Sequence, residues 1–272
     1  MTDRYAVFGN PIAHSKSPAI HQAFAAQTGQ DMSYEAFSAP LNGFAEAARD
    51  FFDAGGLGIN ITIPFKVDAY EMADERREGA ALTGAANCLS VIDGRIVAEN
   101  FDGIGLLRDI EVNLNTPLAG KRVLIAGAGG AARGAALPLA QAGVSELVIA
   151  NRSVGKARAI AERLSAHGPI TGCAYDDVTG GFDVIINATS TGLSGHRLPL
   201  PDSAFAGVTL AYDMVYGKGL TPFLAAARDL GVAQVVDGAG MLVEQAAEAF
   251  LWWRGVRPDT PPVIKAIEVP LD

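Results

Sequence analysis

The sequence predicts an α/β protein in two parts, a doubly wound parallel sheet and a second α/β layer ahead of it. Three observations carry that expectation. Residues 120–153 set strand, glycine turn, helix and second strand in immediate succession. Short apolar runs alternate with helical stretches before that segment and again after it. The length of 272 residues suits about two domains, and 49% hydrophobic with 19% charged content is ordinary for a globular chain.

In chain order, strands are expected over residues 5–8, 34–37 and 58–63, with helices opening near Pro18 and Phe44 between them. A hairpin follows, because Asp93-Gly94 between apolar alternating runs favours a type I′ turn. A two-residue turn there sets Asn87 opposite Asn100, with Asp102 just beyond on the same face. The apolar run 123–126 suits a buried parallel strand, and 146–150 supplies the next one. Then come a helix near 156–166, strands 183–188 and 210–213, a helix started by Thr221-Pro222, and strand 232–237. Gly238-Ala239-Gly240 breaks the pattern. Residues 241–253 read as a helix with Leu242, Ala246, Ala249 and Trp253 on its apolar face, crossing back to the first part. The expected division is 1–101, 102–238 and a C-terminal return over 239–272.

Gly127, Gly129 and Ala132 fit the dinucleotide pattern G-x-G-x-x-G/A between a strand and an alanine-rich helix. Gly127 permits the tight turn, Gly129 lets the backbone approach a pyrophosphate, and Ala132 lets helix and sheet close up. Free N–H groups at the helix start favour the anion, so Gly127, Ala128, Gly129, Gly130 and Ala131 are candidate cofactor contacts. An NAD site wants a carboxylate on the ribose about twenty residues further on. This chain has Asn151-Arg152-Ser153 there, with Lys156 one turn along. A guanidinium fork suits a 2′-phosphate, so the expected cofactor is NADP. The competing reading is a solvated basic turn.

A net charge of −9 argues against a nucleic-acid partner or an anionic membrane surface. Anionic ligands then depend on local positive sites, for which helix N-termini, Lys66, Arg133 and Arg152 are the available suppliers. No run approaches a membrane span or a signal peptide, which makes the cytoplasm the expected compartment. Cys88 and Cys173 form no CxxC, and neither a metal site nor a disulfide is expected.

Ser15 and Ser17 lie in HSKSPAIHQAF, where Ser17 and Pro18 read as N-cap and first helical residue. Ser15 is surplus to capping, and two hydroxyls at a helix start also suit a carboxylate. His14 and His21 lack partners at ligand spacing and are expected at the surface or core edge. In GINITIPFK, Asn60 and Thr62 share one strand face, either exposed to solvent or facing a site at the strand end where Lys66 emerges. A lysine near a ketone can donate a proton as hydride reaches carbon, if a carboxylate holds and tunes it. Asp102 is the carboxylate in reach, although it also reads as the cap of the following helix.

The segments GNPIAHSKSPAIH, GINITIPFK, GAANC, NFDG, GAGGAARG, NRS, NATSTG, DMVY and DGAGMLVEQA together resemble the shikimate dehydrogenase family over essentially the whole chain. The resemblance implies a substrate domain built from both chain ends and a Rossmann-like NADP domain. The implied reaction is reversible reduction of 3-dehydroshikimate to shikimate by NADPH, in the pathway to aromatic amino acids. It implies Lys66 and Asp102 as the catalytic pair and Ser15 and Ser17 as carboxylate contacts. Thr62, Asn87, Tyr216 and Gln245 would meet substrate hydroxyls or close the site, with Asn60 in support. Met214, Gly238 and Met241 match positions near the nicotinamide, and Glu78 is placed nearby. Cys88 and Phe101 depart from the family pattern, which has Thr at both places; as diagonal hairpin neighbours they are expected to touch each other. A quinate/shikimate dehydrogenase of broader specificity and a non-catalytic NADP sensor are the alternatives. A monomer or homodimer is the expected assembly.

Overall fold

The computed structural model describes residues 2–191 and 195–271, and the chain divides into two compact units. The first comprises Met1–Gly105 and Val243–Ala266, the second Leu106–Leu242 and Ile267–Asp272.

The first unit opens with β1 (Asp3–Gly9), α1 (Ser17–Thr28), β2 (Met32–Ser38), α2 (Phe44–Asp53) and β3 (Gly56–Ile61). Then follow α3 (Lys66–Met72), β4 (Glu75–Arg76), α4 (Glu78–Thr83), β5 (Cys88–Ile92), β6 (Arg95–Glu99) and α5 (Asp102–Arg108). The strands form a mixed sheet in the order β2-β1-β3-β5-β6-β4, parallel at β1 and antiparallel at β5. In the hairpin, Asp93 (φ 50°) and Gly94 (φ 75°) meet the type I′ requirement, and Cys88 pairs with Glu99 as the turn predicts.

Strand alternation splits β1 between two cores. Ala6 and Phe8 join Phe44, Phe51, Ile59 and Phe65 on one side, while Tyr5 and Val7 join Ile12 and Tyr34 on the other. Both faces are therefore covered. The strand expected to reach residue 63 ends at Ile61: Phe65 N–H closes a turn on the Thr62 carbonyl (3.1 Å), and Pro64 has no N–H to extend a ladder. The elements α3, β4 and α4 are too short to give a periodic signal, and no sequence pattern announces them.

The second unit contains β7 (Arg122–Ala126), α6 (Gly130–Gln141), β8 (Glu146–Ala150), α7 (Val154–Arg163) and β9 (Ile170–Cys173). It continues through β10 (Val184–Asn187), β11 (Leu210–Asp213), α8 (Pro222–Asp229) and β12 (Gln234–Asp237). All pairings are parallel, in the order β12-β11-β10-β7-β8-β9, so the winding direction reverses between β7 and β10. The carboxyl ends of those two strands mark the crevice where ligands of open α/β sheets bind. Leu124, Val148, Ile185, Phe205 and Phe223 belong to the core of this unit.

The last helices are α9 (Ala239–Arg254) and α10 (Pro261–Ile267). The division between units falls inside α5, after Gly105, and inside α9, after Leu242, a few residues beyond each expected boundary. Asp102 stays with the first unit because Lys66 and Asn87 hold its carboxylate. The final residues leave the expected C-terminal return and join the second unit, where Leu271 packs on the core. Among the described residues, no helix is long and apolar enough to cross a membrane.

Candidate active site

A continuous string of hydrogen bonds runs through the first unit. Lys66 Nζ lies 2.5 Å from Asp102 Oδ2, with side-chain exposures of 28% and 10%, so the ammonium remains reachable while the carboxylate does not. The other carboxylate oxygen, Oδ1, accepts from Asn87 Nδ2 (2.8 Å), which also donates to Gln245 Oε1 (3.0 Å). Asn87 Oδ1 accepts from the Phe101 N–H (2.8 Å), and this fixes the orientation of the amide. The hairpin predicts these neighbours, but Asp102 is not the cap. It is the first helical residue of α5, and Asn100 Oδ1 accepts its N–H (3.1 Å), freeing the Asp102 carboxylate for Lys66. Gly105 is needed nearby, since a Cβ there would sit 2.7 Å from the Gln245 backbone nitrogen.

The string continues from Asn87 to Asn60, whose Nδ2 donates to the Asn87 carbonyl (3.4 Å). Asn60 Oδ1 accepts from the Tyr34 hydroxyl (2.6 Å) and lies 3.1 Å from His21 Nε2. Asn60 is buried, because α1 and α9 cover its sheet face. Ser17 is the first residue of α1, and Ser15 Oγ accepts its N–H (3.3 Å), so Ser15 supplies the local cap expected of Ser17. Thr62 sits in the turn after β3 and is half-buried.

His21 contradicts the expected surface or edge placement. The spacing of Ser17, Ile20, His21 and Phe24 puts it on the buried face of α1, stacked 4.1 Å from the Tyr34 ring and fully enclosed. Burial lowers its pKa to about 3, with the Asn60 bond opposing the shift. Below pH 6.5 the unfolded chain takes up a proton that the folded chain refuses until about pH 3. His21 therefore removes stability as pH falls, by about 1.4 kcal/mol per pH unit across that window. Urea unfolding of wild type and His21→Gln from pH 7 to pH 4 checks this. The variant's stability relative to wild type should rise steadily as the solution is acidified, and a constant difference would refute it.

Cys88 and Phe101 have neighbours other than each other. Cys88 is fully buried between its sheet partners Asn60 and Glu99, whereas the Phe101 ring meets Trp252 edge-on at 5.7 Å. Arg77 lies over the Trp252 ring at 5.1 Å. The return of α9 to the sheet supplies this aromatic partner.

In the second unit the glycine loop lies at the strand-order reversal. Gly127 has φ +118°, and a Cβ on it would meet the Ala188 carbonyl oxygen at 3.1 Å and Thr189 at 3.0 Å. Gly129 and Gly130 instead face open space, where a Cβ would meet nothing within 4 Å. α6 starts at Gly130 with no side-chain cap, leaving its first N–H groups to an anion. On the same helix, Arg133 keeps a buried Nε without a hydrogen-bond partner. A cradle of small residues, uncapped N–H groups and an orphaned cationic donor fit a pyrophosphate. Arg152 and Ser153 are exposed at the end of β8, Asn151 Nδ2 braces the turn on the Ser153 carbonyl (3.0 Å), and Lys156 is exposed on α7. Met214 and Gly238 touch, since a Cβ on Gly238 would sit 2.5 Å from the Met214 carbonyl oxygen. Met241 N–H reaches the Tyr212 hydroxyl (3.3 Å).

Tyr216 belongs to the second unit, unlike the other substrate candidates, and Glu78 is an exposed residue of the first unit, unlike the other cofactor candidates. Sequence reasoning missed the network behind the glycine loop. Asp213 is fully buried, its carboxyl pushed up by desolvation against bonds from Thr221, Val215 N–H and Asn187. Asn187 Oδ1 holds Thr189 through its N–H and hydroxyl (3.0 and 2.7 Å) beside Gly127. The segments NATSTG and DMVY contain all of these but Thr221; Gly192, which ends the first, lies outside the described residues.

Three family models match: a shikimate dehydrogenase substrate-binding domain over residues 7–89, shikimate/quinate 5-dehydrogenase over 110–194, and a shikimate 5′-dehydrogenase C-terminal domain over 238–268. A shikimate dehydrogenase (NADP(+)) of Aromatoleum aromaticum is 53% identical, covering 99% of this chain and 98% of its own. A crystal structure of an Ael1 enzyme from Pseudomonas putida superposes with a TM-score of 0.96 at 55% identity, over 99% of this chain and 100% of that one. Shikimate 5-dehydrogenase of Thermus thermophilus, solved with NADP(H) and shikimate, gives 0.86 at 33% identity over 97% and 98%.

Proposed function

The chain belongs to the shikimate dehydrogenase family, and from that premise we propose that it catalyses the reversible, NADP-dependent reduction of 3-dehydroshikimate to shikimate. The observation that carries this reading is the Lys66–Asp102 ion pair, braced by Asn87 and Gln245. Bound NADPH supplies the hydride. Every other task falls to side chains of this protein.

As the substrate carbonyl becomes an alkoxide, Lys66 donates its ammonium proton to that oxygen, and in the oxidative direction it takes the hydroxyl proton back. Asp102 holds the ammonium on one oxygen, and the Asn87 bond to its other oxygen keeps the carboxylate from turning away. Asn87 Oδ1 retains a second lone pair for a substrate hydroxyl, and Gln245, whose carbonyl accepts from Asn87, braces it. Ser15, Ser17 and Thr62 serve the substrate carboxylate and neighbouring hydroxyls, and the family resemblance assigns Tyr216 to the same ligand. Gly127 to Ala131 hold the pyrophosphate, while Arg152, with Asn151, Ser153 and Lys156, reads the 2′-phosphate. Met214, Gly238 and Met241 receive the nicotinamide, with Glu78 assigned near it.

We place the enzyme in the cytoplasm, acting on a small molecule, as a monomer or homodimer, and the acidic balance speaks against a nucleic-acid partner. An absorbance assay of NADPH formation from shikimate and NADP tests the function directly. Purified protein is expected to reduce NADP with shikimate, and to do so poorly with quinate. No turnover with shikimate would overturn the proposal.

A further inference from the structure

We propose that His21 and Tyr34 are positioning residues for Asn60: together they fix which end of its amide faces the ligand, so that Asn60 recognises a ligand oxygen only as a donor. The inference rests on the reading of Asn60 as a substrate contact. An asparagine amide places an acceptor and a donor at nearly the same positions, and shape alone does not decide between them. Here the neighbours decide. The Tyr34 hydroxyl at 2.6 Å and His21 Nε2 at 3.1 Å both converge on Oδ1, and Nδ2 faces the Asn87 carbonyl oxygen at 3.4 Å. The flipped amide would set two acceptors against each other at Asn87.

Proton counting fixes the rest. Oδ1 cannot donate, so His21 Nε2 must carry the imidazole proton, which leaves Nδ1 without one and without a hydrogen-bond partner. The Tyr34 hydroxyl has a single proton, and Asn60 receives it. The plane of the imidazole is held by Tyr34, stacked within 7° of parallel, and by Phe24, Phe250 and Trp253 around it. Burial keeps the ring neutral, so it offers one fixed donor rather than two. With both lone-pair directions of Oδ1 engaged and one N–H on the Asn87 carbonyl, Asn60 has only its second N–H left for a ligand, and that suits a carboxylate or the lone pair of a ring hydroxyl.

The test is a set of cycles in steady-state kinetics with shikimate and NADP. Tyr34→Phe is expected to raise the KM for shikimate by about five- to tenfold, the scale of one hydrogen bond, with kcat and the KM for NADP within about twofold. In an Asn60→Ala background the same change should add nothing to the KM for shikimate, because the group it positions is gone. Asn60→Asp, which keeps both inner bonds but presents an acceptor, should bind shikimate more weakly than Asn60→Ala. Two results overturn the inference: an equal effect of Tyr34→Phe in both backgrounds, or tighter shikimate binding by Asn60→Asp than by Asn60→Ala. The Asn60 comparison stands even if the Tyr34 variant does not fold. Wild-type protein inactive on shikimate would instead overturn the assigned reaction, a failure distinct from either.

Discussion

Lys66→Met is expected to lower kcat by about 10²- to 10⁴-fold, the range supplied by general acid–base groups, while the KM for shikimate moves by less than about tenfold. Methionine keeps the unbranched stem and removes only the ammonium. The lost interaction is one that strengthens as charge develops on the reacting oxygen, so the loss falls on turnover more than on binding. Asp102 keeps its bond from Asn87 and its place at the start of α5, which limits collateral disorder. Steady-state kinetics, alongside thermal melting and NADP titration to establish that the variant is folded, provide the measurement. Near-normal kcat in such a protein removes Lys66 from the mechanism.

Arg152→Ala is expected to raise the KM for NADP by about ten- to a hundredfold and that for NAD by no more than about threefold. One hydrogen bond to a charged group is worth about 1.5 to 3 kcal/mol, and only NADP carries the phosphate that forms it. Arg152 is exposed, and the turn is braced independently by Asn151 Nδ2 on the Ser153 carbonyl, so truncation leaves the loop in place. Comparing the two cofactors in the same variant cancels any general loss of stability. Equal losses with both would assign Arg152 to the solvated basic turn.

The sequence carries the second sheet almost completely, because its strands are apolar, parallel and punctuated by glycine. The hairpin was legible for a different reason: an Asp-Gly turn fixes register, and register alone brings Asn87, Asn100 and Asp102 together. What it could not divide was labour among them, so the cap assigned to Asp102 belongs to Asn100. Asn60 marks another limit. A period of two identifies the face of a strand, but whether that face is wet depends on helices distant in the chain, here α1 and α9. The same return of α9 gives Phe101 a tryptophan that no local pattern announces. His21 lacked a partner at ligand spacing because its partner, Asn60, lies 39 residues away.

The string of bonds from Tyr34 through Asn60, Asn87 and Asp102 to Lys66 also bears on the entropy of binding. Immobilising a free side chain on complex formation costs about 0.5–1.5 kcal/mol. In this protein those rotamers are already held before any ligand arrives, so their disorder is lost once, when the chain folds. A ligand entering the first unit exchanges one set of ordered partners for another. The affinity it gains from each contact is then reduced very little by the freezing of the groups that make it.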